Sequence, residues 1–163
     1  MAIPAYLWLK DDGGADIKGS VDVVKREGSI EVLSFSHGLD IPVSGNDGKI
    51  TGTRIHNAMT IGKEFDRSSA YLYKAAATGQ TLKSAELKWY RINDAGMEEE
   101  YFNIFLEYVK IVSIHPLMNN CKDPATSHIN HMEFISLRYD TITWKNCDGN
   151  IMFTDSWNDR RTA

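Results

Sequence analysis

One long alternating segment constrains the fold more than any other part of the chain. In the segment at residues 98–114, every even position from 102 onwards except Lys110 is apolar, while odd positions mix polar and apolar residues. Alternation with a period of two predicts a β-strand with one face in a core and the other half in water. The segment is longer than the usual strand of about five or six residues. A strand of this length is typical of a curved sheet or a barrel wall.

Shorter strand patterns, separated by turn sequences, fill most of the remaining chain. They predict strands at residues 6–10, 30–36, 85–93, 132–144 and 151–157. Asp148-Gly149 is a hairpin-turn sequence between the last two strands. In the strand at 30–36 neither face is clearly polar, and strict alternation places Ile30, Val32, Ser34 and Ser36 on the same face.

A single helix is predicted over Ser69–Thr78, with Ser68 or Asp66 as its N-cap and Gly79 as its C-cap. The 163 residues match the size of one domain, since domains hold about 100–200 residues. We therefore expect a single domain over residues 1–163. Its predicted class is mainly β: an antiparallel β-barrel with one flanking α-helix and an extended β-hairpin loop.

The extended loop is predicted at residues 38–57, where the strand pattern breaks. Pro42 and the turn sequence Gly45-Asn46-Asp47-Gly48 lie inside it, and short β-branched stretches flank the turn. An Asp-Gly pair between such flanks indicates a hairpin. A loop of about 20 residues in a compact domain is usually functional or disordered.

The charge balance excludes some classes of partner. Lys and Arg number 18 against 22 Asp and Glu, giving a net charge of −4. This disfavours binding to nucleic acid or to an anionic membrane surface, both of which need an excess of cations. No segment approaches the ~20 apolar residues of a membrane span, and the N-terminal residues do not have the pattern of a signal peptide. We expect the chain to fold in the cytoplasm and to be exported by another route.

No catalytic or metal-binding arrangement stands out among the polar residues. His128 and His131, taken with Cys121 and Cys147, do not have the spacing of a standard zinc site. Two cysteines in a chain of this length are not a disulfide framework, and free thiols are the preferred interpretation. We expect no enzymatic activity, no cofactor and no metal.

The order and spacing of several short motifs resemble one known family. They are MAIPAYLWLK at 1–10, IKGS at 17–20, IEVLSFSHG at 30–38, FDRSSAYLYKA at 65–75, TGQTL at 78–82, LRYDTITW at 137–144 and DSW at 155–157. Together they resemble the Hcp family, the haemolysin-coregulated proteins that form the inner tube of the bacterial type VI secretion system. The resemblance extends over nearly the whole chain.

The resemblance implies a structural subunit and not an enzyme. Six copies would form a ring, and rings would stack into a channel inside a contractile sheath, tipped by a VgrG-type spike. The tube would be ejected into target cells and would carry or chaperone small effector proteins. The protein would therefore be cytoplasmic before firing and secreted afterwards.

Two sets of site residues are expected from this interpretation. The loop should contact a neighbouring subunit, within a ring or between rings, through Gly38, Ile41, Val43, Ser44, Asn46, Asp47, Lys49, Ile50, Thr51, Thr53 and Ile55. If the strand at 30–36 borders the channel, Ser34 and Ser36 should face the lumen and its cargo.

Two other classes stay open. One is a monomeric β-barrel module that binds a ligand or protein through its loop, and a native mass of one chain would favour it. The other is a hydrolase or zinc enzyme built on the histidines and cysteines above, which should hold about one zinc per chain.

Overall fold

The computed structural model describes residues 3–159. One helix, α1, spans Ser69–Thr78, and a 3-10 turn spans Asp148–Asn150. The strands are β1 Ala5–Lys10, β2 Asp16–Ile17, β3 Ile30–Val32, β4 Ser34–Ser36, β5 Leu39–Asp40, β6 Ile55–His56, β7 Met59–Glu64, β8 Thr81–Ile92, β9 Glu98–Leu117, β10 Met132–Arg138, β11 Thr141–Asn146 and β12 Ile151–Ser156. In the described part of the chain, no helix is long and apolar enough to cross a membrane.

The main sheet is antiparallel and its pairings close on themselves. Strands β1, β8, β9, β10 and β7 are neighbours in that order. The short segment formed by β3 and β4 then lies between β1 and β7, because Val32 pairs with Ala5 and Ser34 pairs with Gly62. The Leu33 amide also donates to the Gly62 carbonyl at 2.8 Å. Each strand of this wall therefore has a partner on both sides, as a barrel requires. The mainly β class with one helix is confirmed.

The barrel interior is filled by aliphatic side chains from all sides of the wall. Leu7, Leu87, Leu106 and Ile135 are completely buried. Leu7 pairs directly with Leu87 across β1 and β8, so the two side chains share the inner face. Burying one such side chain contributes about 1.5–3 kcal/mol. The core is thus formed within this one chain.

The predicted strand at 132–144 is wrong as a single element. It is interrupted at Tyr139–Asp140, although β10 and β11 both pair along the same edge of β9. Opposite the interruption, Tyr108 has a φ of 53°, which bends β9. At the same point the partner on the side away from β9 also changes. β10 pairs with β7, whereas β11 pairs with β12. No glycine or proline marks the bend, so the sequence carried no local signal for it.

The predicted strand at 30–36 is also interrupted. It changes its partner from β1 to β7 at Leu33, and the change rotates the chain. Ile30 and Val32 consequently point into the core, while Ser34 and Ser36 are exposed. The expectation that all four share a face is wrong, because strict alternation does not survive the change of partner.

The helix has the predicted bounds, with Ser68 at the N-cap position; the Ser68 side chain makes no capping bond, and Asp66 supplies one instead. The Asp66 carboxylate accepts the Ser68 amide at 2.8 Å, and the Ser69 hydroxyl accepts the Asp66 amide at 3.1 Å. These two reciprocal bonds stabilise the first turn in the manner of a capping box. Gly79 ends the helix in the left-handed conformation, at a φ of 65°. The helix buries Leu72 as part of the barrel's hydrophobic cluster.

Candidate assembly surface

The extended loop is a hairpin with a paired base and a paired tip. At the base, Leu39 pairs with His56, and the Asn57 amide donates to the Gly38 carbonyl at 2.9 Å. Towards the tip, Val43 and Ile50 form an isolated bridge. The hairpin predicted from the Asp-Gly pair is therefore present.

Local polar contacts hold the tip turn. Gly48 has a φ of 70°, a conformation that glycine adopts without the strain other residues incur. Its amide donates to the Ser44 carbonyl at 3.0 Å, and the Lys49 amide donates to the Asp47 carboxylate at 3.2 Å. Hydrogen bonds from Ser44 and Lys49 lower the pKa of Asp47. The turn is thus stabilised with its side chains directed to solvent.

Between base and tip, the hairpin exposes aliphatic side chains that the described part of the chain does not cover. Ile41 is 53% exposed, Val43 61% and Ile50 69%. Of the expected contact residues, Gly38 and Ser44 are half-buried and the others are exposed: Ile41, Val43, Asn46, Asp47, Lys49, Ile50, Thr51, Thr53 and Ile55. Their contact with a neighbouring subunit remains a prediction, for which these side chains are accessible.

A chain of side-chain hydrogen bonds anchors the base of the loop. His37 Nε2 lies 2.7 Å from the Tyr139 hydroxyl, which lies 2.7 Å from His56 Nδ1. His56 Nε2 lies 2.8 Å from Oδ2 of Asp155, and Arg54 Nε donates to the same oxygen at 2.5 Å. We call these five residues the relay. They join both ends of the loop to the barrel and to β12.

Arg54 strengthens this anchor by bonding to several groups on β12 and beyond. Its Nη2 donates to Oδ1 of Asp155 at 2.7 Å and to the carbonyls of Ser156 and Asp159 at 2.8 and 2.7 Å. The forked geometry of a guanidinium matches a carboxylate with two parallel bonds. The loop is therefore attached to the C-terminal strand at a defined angle.

Aromatic rings enclose the relay. The His56 ring stacks on Trp144 with centroids 6.4 Å apart and lies 5.3 Å from the Trp157 ring. Arg138 lies over Trp157 and donates to the His56 carbonyl at 2.9 Å. These packed rings leave His56 only 1% exposed.

The environment fixes the protonation of several relay members. The hydrogen bond from Arg54 is the main cause that lowers the pKa of Asp155, so it is a carboxylate. Burial lowers the pKa of His37 and raises the pKa of Tyr139. A buried phenol with a raised pKa, already bonded to two imidazoles, is a poor nucleophile. The Asp-His-Tyr geometry therefore favours a structural role over a catalytic one.

Sequence reasoning missed the relay. Its members lie on segments that are up to about a hundred residues apart, and each is an ordinary polar residue in its own segment. The nearest signal was the pair of motifs containing Tyr139 and Asp155, which contributed to the family resemblance but carried no stated role.

The two serines expected at the lumen lie on the outer face of the barrel wall. Ser36 pairs with Thr60, which pairs with Ser136, which in turn pairs with Ser113. The hydroxyls of Thr60 and Ser136 are 3.0 Å apart. These small hydroxyl residues form one cross-strand row, which we call the hydroxyl row.

Beside the hydroxyl row, the Ser34 hydroxyl lies against the bare backbone of Gly62. A Cβ at position 62 would meet Ser34 Oγ at 2.1 Å and the Phe134 ring at 3.0 Å. Glycine is therefore required there for close packing of β4 on β7. The contact of Ser34 and Ser36 with cargo remains a prediction.

A second exposed apolar surface, which the sequence did not suggest, lies on β12. Ile151, Met152 and Phe153 are 68%, 60% and 57% exposed. Among the described strands, β12 pairs only with β11, so its other edge is open. Open apolar edges are normally covered by a partner or by another element.

The residues considered for zinc do not come together. Across residues 3–159, no three His, Cys, Asp or Glu side chains are grouped closely enough to hold a metal ion. Cys121 is exposed, Cys147 is half-buried, and both are free thiols, as preferred from the sequence. Burial is the main cause that raises the pKa of Cys147.

Comparisons with known proteins agree with the resemblance seen in the sequence. A family model described as "Type VI secretion system effector, Hcp" matches residues 6–146. The "Major exported protein" of Pseudomonas aeruginosa is 34% identical over 166 residues, covering 96% of each chain. The solved Hcp1 protein of E. coli EAEC 042, in a mutant form, is 60% identical with a TM-score of 0.87, covering 96% of this chain and 99% of that one. The secreted protein Hcp3 of Pseudomonas aeruginosa is 27% identical with a TM-score of 0.77, at 96% and 99% coverage.

Proposed function

Because this chain belongs to the Hcp family of secreted type VI secretion proteins, we propose that it is the repeating subunit of the inner tube. Six copies form a ring, and rings stack into a channel that the machine ejects into target cells. The family is one of structural tube proteins and not of enzymes. The absence of a standard metal or nucleophile pattern in the sequence agrees with that role.

The observation that carries the proposal is a contrast in burial. The barrel has a complete core of its own, yet the loop and β12 expose aliphatic and aromatic side chains. Exposed apolar patches of this kind mark interaction sites. A closed ring needs two different patches on each subunit that fit each other. We assign this role to the loop and β12, which both expose apolar side chains and are joined by the bonds of Arg54.

We assign the loop the role of contacting a neighbouring subunit. Deleting residues 44–52 removes the tip turn and Ile50, which is 69% exposed, while the barrel wall is untouched. The deletion should weaken stacking and leave the barrel folded, as measured by electron microscopy and circular dichroism. Tubes that survive the deletion would contradict this assignment.

We assign the outer face around Ser34 and Ser36 to the lumen. The support is the chemistry of this face. The hydroxyl row consists of small polar side chains, which suit a surface past which cargo moves. Replacing Ser36 with Lys should reduce retention of a small effector without changing ring assembly. Ser127→Lys, in an exposed polar loop, is the matched control. Unchanged retention in the Ser36 variant would refute the lumen assignment.

The remaining partners follow from the proposed role. A VgrG-type spike would cap the tube, a contractile sheath would surround it, and small effectors would travel inside it. The subunit would fold in the cytoplasm and leave the cell through the machine.

The proposed assembly is tested by the native mass of the purified chain. Light scattering should give six times the mass of the 18.4 kDa chain, or multiples of that ring, and negative-stain images should show rings. A monomer at high concentration would overturn the proposal and favour a monomeric binding module.

A further inference from the structure

The relay at the base of the loop contains one hydroxyl between two imidazoles. Tyr139 has a single hydrogen to donate, and its oxygen lies 2.7 Å from a ring nitrogen of His37 and 2.7 Å from one of His56. Each neutral imidazole has one N–H and one bare nitrogen. The protonation states of the two histidines are therefore linked through the direction of the Tyr139 hydrogen.

With both imidazoles neutral, all hydrogens in the relay have one consistent arrangement. Asp155 is a carboxylate that accepts from Arg54, so His56 Nε2 must carry the hydrogen that it donates to Asp155. His56 Nδ1 is then bare and accepts the Tyr139 hydroxyl hydrogen. The Tyr139 oxygen in turn accepts the Nε2 hydrogen of His37. Every member is satisfied.

One added proton is accommodated, whereas two are not. A proton on His37 enters at Nδ1 and leaves the bonds unchanged. A proton on His56 reverses them, since Tyr139 then accepts from His56 and donates to a bare Nε2 of His37. When both rings are charged, Tyr139 faces an N–H on each side, and neither ring can accept its hydrogen. The two cations then also repel each other across one oxygen.

The charged groups around the relay do not remove this conflict. Asp155 is already paired with Arg54, and Arg138 adds a second guanidinium at the His56 carbonyl. On the loop, the Asp40 carboxylate accepts from the Asn57 side chain at 2.6 Å. Asp140 and Asp159 meet this region through their backbone carbonyls.

One histidine lies at each end of the loop. His37 directly precedes the loop, and His56 forms its final strand at the base. Tyr139 therefore ties both ends of the loop to the barrel, in addition to the Arg54 bonds that join the second end to β12. We infer that the relay is a proton-operated latch, which holds the base of the extended loop at Tyr139 of the barrel near neutral pH and loosens it in acid, when both imidazoles are charged, while the Arg54 bonds to β12 remain.

The relay accommodates one added proton but not two, and the direction of the His37 pKa shift agrees with the sign of this effect. Burial and the neighbouring His56 lower the pKa of His37 below its ordinary value of 6.5. A histidine with a lowered pKa in the latched state stabilises that state fully above pH 6.5, and the stabilisation is lost as pH falls towards the lowered pKa. The loop should therefore loosen on the acid side of neutrality while the barrel stays folded.

The test is hydrogen exchange of peptides from residues 38–57, compared at about pH 7.5 and about pH 5, on either side of ordinary histidine titration. After correction for the intrinsic rate, exchange of the loop should rise about tenfold in acid, as expected when hydrogen bonds between neutral groups are lost. Peptides from β9 should not change. A loop with the same protection at both pH values would overturn the latch.

Three variants separate the latch from general acid sensitivity. His37→Gln keeps a donor for Tyr139 but cannot be charged, so its loop should stay protected in acid. Tyr139→Phe removes the shared hydroxyl, so its loop should exchange quickly at both pH values. His128→Gln, which removes an imidazole in the 118–131 loop, should behave as wild type. An acid step that persists in His37→Gln would contradict the inference, even if Tyr139→Phe proved too unstable to study.

The functional relevance of the latch rests on the proposed function, because a loosened loop would weaken contacts between subunits in acid. The two claims can fail separately. A monomer that shows the acid step retains the latch and refutes the tube, whereas rings without the step retain the tube and refute the latch.

Discussion

The barrel and the extended loop are stabilised in opposite ways. In the barrel wall each strand has a partner on both sides, and the interior is aliphatic and fully buried. The loop has two strands of two residues and one isolated bridge, and its aliphatic side chains are exposed. Its order comes from the bonds of the tip turn and from the relay at its base. The difference indicates that the barrel is self-sufficient, whereas the loop is built for a partner.

Each region also contains a buried polar network, and the two networks differ in kind. Beneath helix α1, Lys63 Nζ donates to Glu133 Oε1 at 2.5 Å and to Asp66 Oδ1 at 3.0 Å. Lys63 and Glu133 are completely buried, and among residues 3–159 the second Glu133 oxygen has no hydrogen-bond partner. This network joins opposite full charges and does not depend on histidine. The relay instead contains two imidazoles, whose hydrogen bonds depend on which ring nitrogens carry a hydrogen.

The largest effect should come from breaking the ion pair in the barrel. Lys63→Met leaves the Glu133 carboxylate buried and without its cation, which costs about 3–5 kcal/mol of unfolding free energy. Chemical denaturation measures the change. The double variant Lys63→Met/Glu133→Leu should recover most of the loss, because the unpaired charge is gone. A single variant as stable as wild type would show that this network does not anchor the barrel.

A matched pair of truncations compares the two regions directly. Leu106→Ala in the barrel removes a completely buried side chain and should cost about 2–5 kcal/mol. Leu39→Ala in the loop truncates an exposed side chain and should change the unfolding free energy by less than about 0.5 kcal/mol. Similar costs at both sites would remove the distinction between barrel and loop.

The link between the two regions should be sensitive to acid through Asp155. Its pKa is lowered from 3.8, mainly by Arg54, so its bonds stabilise the fold above pH 3.8 and are lost as pH falls through the lowered pKa. Arg54→Gln should move this acid transition to higher pH. The aspartate titration can be followed by NMR, with Arg91→Gln, which breaks an exposed pair with Glu99, as control. An unchanged Asp155 titration would exclude the proposed role of Arg54.

The smallest effect on folding should come from the loop tip. The double variant Ile41→Asp/Ile50→Asp replaces exposed aliphatic side chains by charged ones. The unfolding free energy from chemical denaturation should therefore change by less than about 0.5 kcal/mol. A large loss of stability would mean that the tip packs against its own barrel.

Local patterns allowed much of the fold to be predicted. The alternation at residues 98–114 lies within β9, and the bounds of α1 follow from its capping residues and Gly79. The bend at Tyr108 and the change of partner at Leu33 were missed, because both arise from barrel closure and not from residue type. The hairpin tip was predictable from Asp47-Gly48, since a turn is a local property.

The polar anchor of the loop could not be predicted, because it also arises from barrel closure. Tyr139, His56 and Asp155 meet only after closure brings distant strands together, and no spacing in the chain links them. The sequence therefore identified the loop as a candidate contact without showing how the fold holds it in place.

The most direct test of the account is the native mass of Ile41→Asp/Ile50→Asp beside that of the wild type, measured by light scattering at equal concentration. The account predicts rings or stacked rings for the wild type and smaller species for the variant, with the same circular dichroism spectrum for both. A variant that is equally stable and forms the same assemblies would contradict the claim that the exposed loop joins the subunits.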